Sequence, residues 1–491
     1  MRVLLIATYE LGHQPLQLAV PAARLLARGH QVRCRDLQIE EWDPELVAWA
    51  DRVAFSVPMH TATQIARPAI ARVRAERPDL PIAGYGLYGE MLEGIADRVL
   101  AGETDAELVA WIEGDDGHEN LIVHLGRDAA APGAPLPARD LLPALDRYAH
   151  LVIGGEERTV GYVEASHGCA HRCRHCPVPV VYDGRIRIVE HDAVLADIAQ
   201  QVDAGARHIT FGDPDFLNAV HHSVRIVRAM HERFPDITFD CTVKVEHVLR
   251  HDDVWAEFAA SGCLFVVSAF ESVDDATLAK LDKGHTVADM SRSVAVLREH
   301  GIAVRPSWMP FTPWTTPDHI RELLEFVAEH DLVGNVDPVH YTIRLLLPRG
   351  SLLLDHPDLA AYLDDYDDAR GSYQWHAADP VVDELQQQLA ALVEQLNAED
   401  ARIPVVYEAV RAAVGLAPLG IAPTAADHVP RLSESWFCCA EPTALQLGAT
   451  AASGAQSGAQ SGVQSARNSS LVAFQPAASG PSIVKNAAPP S

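Results

Sequence analysis

The sequence has little positive charge, few aromatic residues and no apolar run long enough to cross a bilayer. Its 491 residues contain 39 Lys and Arg against 67 Asp and Glu, which gives a formal net charge of −28. Such an acidic chain repels phosphates, so we expect neither nucleic acid nor an anionic membrane surface as a partner. A membrane-spanning helix needs about 18 consecutive apolar residues, and no segment of the sequence provides them.

The amino terminus and the cysteines indicate the compartment. The opening MRVLLIATYELG has too short an apolar stretch before Glu10 for a signal peptide and predicts a buried first strand. We therefore expect a cytoplasmic protein. In a reducing compartment the eight cysteines do not predict a disulfide framework, whereas clusters among them suggest metal or redox chemistry.

Residues 1–115 alternate short apolar runs with helical patterns, which is typical of a parallel, doubly wound sheet. The predicted strands of this first α/β domain are 2–8, 30–37, 52–57, 80–89 and 98–104. Residues 116–160 are rich in Pro and Ala and are predicted to be a linker.

The alternation resumes over residues 161–350, where six strand–helix units predict a partial (β/α)6 barrel. Its predicted strands are 162–167, 207–212, 236–245, 263–270, 302–309 and 337–347. In such barrels the chemistry lies at the carboxyl ends of the strands.

The carboxyl-terminal part divides into two segments. Residues 351–445 are predicted to be mostly helical, with the clearest helical pattern over 379–415. Residues 446–491 are rich in Ala, Ser, Gly, Gln and Pro and repeat SGAQ, so we predict a disordered tail that buries too little apolar surface to fold.

Cys169, Cys173 and Cys176 follow the first predicted barrel strand in the segment SHGCAHRCRHCPVP. Thiolates are the usual ligands of iron–sulfur clusters. Three ligands on one loop leave the fourth iron of a [4Fe–4S] cluster open, and S-adenosylmethionine needs such an open iron for its amino and carboxylate groups.

A zinc site is the alternative for this loop, with His167, His171 or His175 as the fourth ligand. Structural zinc usually has four ligands in two separated pairs, which a lone triplet does not supply. The spacing therefore favours the cluster.

The triplet on this scaffold resembles the radical S-adenosylmethionine superfamily. The resemblance implies a [4Fe–4S] cluster, S-adenosylmethionine as cofactor, a small-molecule or metalloid substrate, and an external electron donor such as flavodoxin or ferredoxin. Gly212 and Asp213 look like the family's Gly-Gly-Glu-Pro turn, which holds the methionine amino group. Asp replaces Glu here, and Asp215 is a possible substitute. An Asp-Pro turn without a ligand is the alternative.

Three further residues are candidates for cofactor binding within this resemblance. Lys244 or Glu246 would lie near the cofactor's carboxylate or ribose, although a solvated charge is an equal alternative for Lys244. Glu271 ends the fourth predicted barrel strand. The segment LDKGHT at 281–286 resembles the Lys-Gly-His segment of cobalamin-type members.

The first domain resembles the cobalamin-binding-like domain that precedes many radical enzymes of this kind, with Gly102, Glu103 and Glu107 matching the general pattern. The Asp-x-His-x-x-Gly signature of a cobalt-ligating His is absent, because His13 and His60 stand in other contexts. Either cobalamin binds without a protein ligand or the domain has lost it.

Cys438 and Cys439 are adjacent in SWFCCAEPT, just before the tail. Two adjacent thiols suit a soft, thiophilic ion or a redox step, and chance adjacency in a core is the alternative. The segment resembles the tail of the radical S-adenosylmethionine family with a CUAEP or CCAEP motif. Related enzymes are implicated in arsinothricin formation, so the resemblance implies a role of Cys438 and Cys439 in catalysis.

Three functional hypotheses follow. The first is an enzyme that transfers the 3-amino-3-carboxypropyl group of S-adenosylmethionine to trivalent arsenic delivered by the two adjacent cysteines. The second is a cobalamin-dependent methyltransferase that acts on a small metabolite. The third is a non-catalytic protein that binds an iron–sulfur cluster or a metalloid.

Overall fold

The computed structural model describes residues 1–114, 121–123 and 135–434. Within these ranges the chain forms two mainly parallel sheets with helices, so the predicted combination of a doubly wound domain and a partial barrel is confirmed. No helix among the described residues is both long and apolar enough to cross a membrane. The predicted tail, 446–491, lies outside the described residues.

The first domain contains a six-stranded parallel sheet whose central strands are buried on both faces. Its elements are β1 (Arg2–Ala7), α1 (Leu16–Ala27), β2 (Gln31–Asp36), α2 (Pro44–Trp49), β3 (Arg52–Ser56), α3 (His60–Glu76), β4 (Ile82–Gly86), β5 (Arg98–Gly102), α4 (Asp105–Ile112) and β6 (Leu121–Val123). The strand order is β2-β1-β3-β4-β5-β6. The five predicted strands are confirmed, and β6 is added at one edge.

The second sheet is a half-barrel with helices on its outer face. The strands of this region are β7 (His150–Ile153), β8 (Glu156–Val163), β9 (Ser166–Gly168), β10 (Ile186–Ile188), β11 (His208–Phe211), β12 (Thr238–Thr242), β13 (Cys263–Glu271) and β14 (Ala303–Trp308). Its helices are α5 (Val178–Tyr182), α6 (His191–Asp203), α7 (Val220–Arg233), α8 (Val245–Arg250), α9 (Trp255–Ala260), α10 (Asp275–Lys280), α11 (Val287–Glu299) and α12 (Pro317–Glu329). Five strands run parallel in the order β14-β13-β12-β11-β8, and β7 pairs antiparallel with β8.

The sixth predicted barrel strand, 337–347, is wrong. Residues Pro338–Tyr341 form a 3-10 turn, and the barrel is continued there by a single bridge between Phe311 and Arg344. Pro338 fixes its own φ and has no N–H to donate to a sheet, which favours a turn over a strand at this point.

The first barrel strand begins earlier than predicted, inside the segment that the sequence predicts as linker. Gly154 and Gly155 have positive φ values of 60° and 83° and form the turn of the β7–β8 hairpin. Glycine adopts this backbone conformation without a steric penalty, and Gly-Gly between two β-type runs is a hairpin signal.

The carboxyl-terminal region packs against the barrel. It contains β15 (Leu363–Asp367), β16 (Ser372–Trp375), α13 (Pro380–Ala398), α14 (Ile403–Ala413) and β17 (Arg431–Leu432). The two helices match the predicted helical pattern, whereas the β15–β16 hairpin is an addition. β17 pairs with β7 and so returns the chain to the edge of the half-barrel next to β8.

Candidate active site

The three clustered cysteines lie on the loop after β9, near the carboxyl end of β8. Cys169 and Cys173 are buried, Cys176 is half-buried, and all three are free of disulfides. Burial raises the pKa of Cys169 to about 12 and also raises that of Cys173, and the nearby charge of Cys176 adds to both shifts. The fold therefore brings together the three thiols that the sequence predicts as iron ligands.

The surroundings of the loop fit an anionic iron–sulfur cluster. A metal ion deprotonates the thiols that bind it, so the raised pKa values do not prevent these three cysteines from binding a cluster. Lys244 and Lys283 are both buried, and the positive charge of each lowers the pKa of Cys173 against the effect of burial. Two cations thus offset negative charge at this loop.

A glycine and backbone hydrogen bonds fix the shape of the cysteine loop. Gly168 has a φ of 78°, and a Cβ there would lie 2.5 Å from both the Arg185 carbonyl oxygen and the Tyr182 ring. Within the loop, the Arg174 N–H donates to the Leu281 carbonyl over 2.9 Å. These contacts hold the loop against α5 and the segment that follows α10.

Glu271 ends β13 and is the centre of a buried triad behind the cysteine loop. Its φ is 67°, and its carboxylate accepts hydrogen bonds from Lys283 Nζ and His175 Nε2, each over 3.1 Å. Burial alone would raise the pKa of Glu271, but Lys283 and His175 hold it well below its usual range. The predicted site residue Glu271 thus lies next to the loop as a partner of Lys283. It does not line the cavity that lies between the first domain and the half-barrel.

The end of β11 presents two carboxylates with different surroundings. Asp213 accepts hydrogen bonds from the Ala165 N–H over 2.9 Å and from Ser166 Oγ over 2.6 Å, and burial raises its pKa to about 7. Gly212 cannot carry a side chain, because a Cβ would lie 2.0 Å from the Tyr162 hydroxyl. Gly212 and Asp213 line the cavity, whereas the fully buried Asp215 does not.

Lys244 and Glu246 follow β12. Lys244 Nζ lies 3.7 Å from a Glu246 carboxylate oxygen, and Glu246 also pairs with Arg250 one turn along α8. The two predicted residues therefore form a long ion pair beside the cysteine loop, and Lys244 also acts on Cys173. Neither lines the cavity.

A cavity of about 340 Å³ lies between the carboxyl ends of the first domain's strands and the half-barrel. This edge of a doubly wound sheet is where such folds bind cofactors, and the volume suits a small cofactor or substrate. Both the first domain and the half-barrel contribute polar side chains to the lining of this cavity. The ionisable lining residues include Glu10, His13, Glu103, Asp105, Glu164, His167, Arg187, Asp213 and Asp240.

Glu103 connects the two domains inside this cavity. It accepts hydrogen bonds from His167 Nδ1 and Tyr182 Oη, each over 2.8 Å, and pairs with Arg187 Nη2 at 2.5 Å. Burial would raise the pKa of Glu103, but His167 and Arg187 lower it overall. The sequence matched Glu103 to a family pattern. It did not predict the partners of Glu103, because they are distant in sequence and no motif links them to it.

His13 presents a buried imidazole to the cavity. Its ring stacks on Tyr162 with the centroids 4.6 Å apart. Burial lowers the pKa of His13 to about 4, so the imidazole is neutral at pH 7. The cavity therefore contains a neutral nitrogen base supplied by the loop after β1.

The last described residues run along the cavity. Leu432, in β17, lines it, and the Tyr9 hydroxyl donates a 2.8 Å hydrogen bond to the half-buried Glu434. Gly12 makes room for this segment, since a Cβ at Gly12 would lie 2.8 Å from Glu434 Cβ. Cys438 and Cys439, the predicted pair, lie outside the described residues.

Comparisons with known proteins agree with this geometry. Residues 163–327 match the Radical SAM superfamily. The hopanoid C-3 methylase of Methylococcus capsulatus is 23% identical over 345 residues, which cover 64% of each chain. The chain thus spans about 64% of the length of this curated relative.

Two solved structures share the fold. The cobalamin-dependent S-adenosylmethionine radical enzyme OxsB, solved with aqua-cobalamin and S-adenosylmethionine, is 14% identical with a TM-score of 0.62 over 82% of this chain and 67% of its own. The radical S-adenosylmethionine methyltransferase TsrM from Kitasatospora setae is 18% identical, with a TM-score of 0.52 over 67% of this chain and 70% of its own. Both likenesses concern the fold.

Proposed function

We propose that this enzyme, whose residues 163–327 form a radical SAM domain, transfers the 3-amino-3-carboxypropyl group of S-adenosylmethionine to trivalent arsenic in the cavity between its two domains. The observation that carries the proposal is the course of the chain at β17. Leu432 lines the cavity and Glu434 is bound by Tyr9, four residues before Cys438.

Cys169, Cys173 and Cys176 hold the cluster in this proposal. A [4Fe–4S] cluster bound there would supply the one electron that breaks the bond between the sulfur and the aminocarboxypropyl carbon, so that 5′-methylthioadenosine leaves. The carbon radical would then form the carbon–arsenic bond, and the arsenic, oxidised from the trivalent to the pentavalent state, would return that electron to the cluster. Lys244 and Lys283 offset the charge of the thiolates, and an external small electron carrier reduces the cluster before turnover. The match to the Radical SAM superfamily supports an enzyme, so the non-catalytic hypothesis is not retained.

Asp213 is our candidate for binding the methionine amino group of S-adenosylmethionine. It lies at the carboxyl end of β11, lines the cavity and is buried, so an ionised carboxylate there would attract an ammonium group strongly. Asp215 is less suited, because its carboxylate contacts His171 and His247 rather than the cavity.

Cys438 and Cys439 are proposed to deliver the arsenic. Cys438 and Cys439 follow Glu434 by four and five residues, a length of chain that spans at most roughly 14 and 18 Å when fully extended. The delivery role requires the two thiols to reach the cavity within these lengths. Adjacent thiolates bind thiophilic ions such as trivalent arsenic.

The test is product analysis with anaerobically reconstituted full-length protein, reductant, S-adenosylmethionine and arsenite. We expect 5′-methylthioadenosine together with an arsenic compound that carries the aminocarboxypropyl group, both identified by mass spectrometry. Cys438→Ser/Cys439→Ser should retain the cluster and lose the arsenic product, whereas the control Cys34→Ser, at a half-buried cysteine of β2, should retain both. Full product formation by the double variant contradicts the delivery role.

Cobalamin-dependent methyl transfer is the second candidate, favoured by the first domain and by the likeness to cobalamin-dependent enzymes. The carboxyl ends of β4 and β5 supply Gly86 and Gly102 to the cavity, where a large ligand can approach the backbone. Protein produced with added cobalamin should then show corrinoid absorbance and transfer a methyl group. Absence of a bound corrinoid counts against this candidate.

A further inference from the structure

A second group of metal-type ligands lies beside the cysteine loop and outside the cavity. His171 stands between Cys169 and Cys173 in the sequence, Asp215 follows β11, and His247 lies on α8. Asp215 Oδ2 is 2.8 Å from His247 Nδ1 and 3.6 Å from His171 Nε2. All three ligand atoms lie within 4.8 Å of one another.

The three facing atoms have only one another as partners. Each is buried, and among the described residues none makes a hydrogen bond of good geometry to any other group. Asp215 uses its other oxygen, Oδ1, to accept the Leu217 N–H over 3.1 Å. Buried polar atoms that face only one another in poor hydrogen-bond geometry are incompletely stabilised, so three that converge on one point favour a group that binds between them.

We propose that His171, Asp215 and His247 bind one divalent first-row transition metal ion of the zinc class. Two imidazoles and a carboxylate are the protein ligands of three-ligand zinc and non-haem iron sites. Ligands about 2.0–2.2 Å from a shared ion lie roughly 3–3.5 Å apart, so small side-chain rotations convert the observed separations into a coordination sphere.

The surroundings of His171 agree with this assignment. Its second nitrogen, Nδ1, lies 3.7 Å from a Glu246 carboxylate oxygen. A carboxylate on the outer side of a metal-bound imidazole fixes the ring and increases its basicity. The ion would therefore join three elements: the cysteine loop, the end of β11 and α8.

This site is distinct from the cluster and from the proposed group transfer. Its ligands exclude the three cysteines, and none of its residues lines the cavity. The ion therefore fixes the cysteine loop to the end of β11 and to α8. Its binding does not depend on the identity of the substrate.

The test measures a second metal in the holoenzyme. Full-length protein is reconstituted anaerobically with its cluster, incubated with zinc, desalted and analysed for iron and zinc content and by zinc X-ray absorption. We expect about four iron atoms and one zinc atom per chain, with zinc–nitrogen/oxygen distances of about 2.0–2.1 Å and no zinc–sulfur distance near 2.3 Å. A wild-type protein that retains no zinc, or that binds it through sulfur, overturns the proposal.

Variants locate the ion. His247→Ala and Asp215→Asn should keep their iron and lose zinc affinity at least tenfold. His251→Ala is the matched control, since His251 lies one turn further along the chain and its ring contacts His247 without belonging to the triad. Zinc retained by His247→Ala and Asp215→Asn as tightly as by His251→Ala also overturns the proposal. If a variant loses its iron, the wild-type measurement alone decides.

Discussion

Asp213 is a carboxyl group whose buried environment opposes its charge. It is 1% exposed, and its hydrogen bonds to Ala165 and Ser166 only partly offset burial, so its pKa rises to about 7 from an ordinary value near 4. Between these two pH values the folded protein binds a proton that the unfolded chain does not. The stability that this proton contributes is present below about pH 4 and is lost as the pH rises through about 7.

The first prediction is that Asp213→Asn flattens the pH dependence of the free energy of unfolding between pH 4 and 7. The contribution removed is on the order of 4 kcal/mol, because about three pKa units separate the two states. Urea unfolding at several pH values measures it, with Asp236→Asn, at an exposed position, as the control. Equal slopes for wild type and Asp213→Asn would show that Asp213 does not titrate in this range.

The second prediction at the scale of residues concerns the stability that Lys283 contributes. It forms a buried ion pair with Glu271, and losing one partner of such a pair leaves the other charge uncompensated. Lys283→Met should therefore lower the free energy of unfolding by about 3–5 kcal/mol. Lys280→Met is the control, because Lys280 forms a partly exposed pair with Asp358 that contributes about 1 kcal/mol or less.

Denaturant unfolding of the two lysine variants provides the comparison. Lys283→Met/Glu271→Gln should recover part of the stability, because the uncompensated carboxylate is then removed. If Lys283→Met is no less stable than Lys280→Met, Lys283 and Glu271 do not form the buried pair described here.

At the scale of elements, β17 brings the last described residues of the chain beside the cavity. The Tyr9–Glu434 hydrogen bond is the last side-chain anchor among the described residues before Cys438. Tyr9→Phe removes this bond and leaves the half-buried Glu434 carboxyl group without its donor, a loss of about 1 kcal/mol.

We therefore predict that Tyr9→Phe lowers the yield of arsenic product per S-adenosylmethionine cleaved by about tenfold, corresponding to ~1.4 kcal/mol, while cleavage itself continues. The ratio of arsenic product to 5′-methylthioadenosine is the measurement, and Tyr373→Phe, at a half-buried tyrosine of β16, is the control. An unchanged ratio in Tyr9→Phe would show that the Tyr9–Glu434 hydrogen bond has no role in arsenic delivery.

The sequence predicts most of the parallel strands, because buried strands of parallel sheets are nearly continuous apolar runs such as RVLLIA in β1. It predicts the sixth barrel strand wrongly, since HYTIRLLL is equally apolar but follows Pro338 and pairs at a single bridge. The β7–β8 hairpin is missed although Gly154 and Gly155 signal it, because the Pro- and Ala-rich residues before it dominate the segment.

The candidate site is predicted in part for a similar reason. Cysteine spacing identifies the cluster loop from one short segment. By contrast, Glu103 contacts residues that lie 64 to 84 positions away in the sequence. The contact between His171 and His247 depends on how α8 packs against the cysteine loop. Such contacts have no local sequence signal, so only the folded chain reveals them.

At the scale of the whole molecule, the two domains share one cavity and are joined by buried charges. Arg139 forms a two-point ion pair with Asp197, with both distances 2.7 Å, and also donates to Gln14 of the first domain. Together with the Glu103 contacts, these bonds hold the first domain against the half-barrel. Gly168 at the start of the cysteine loop, Asp213 and Leu432 of β17 line this same cavity.

The central claim is that three cysteines hold a [4Fe–4S] cluster whose fourth iron binds S-adenosylmethionine. Electron paramagnetic resonance of the reduced, anaerobically reconstituted full-length protein, recorded with and without S-adenosylmethionine, tests it directly. We predict a reduced [4Fe–4S] signal whose g values shift when S-adenosylmethionine is added. A spectrum that S-adenosylmethionine leaves unchanged, or cysteines occupied by zinc in place of the cluster, would contradict the account.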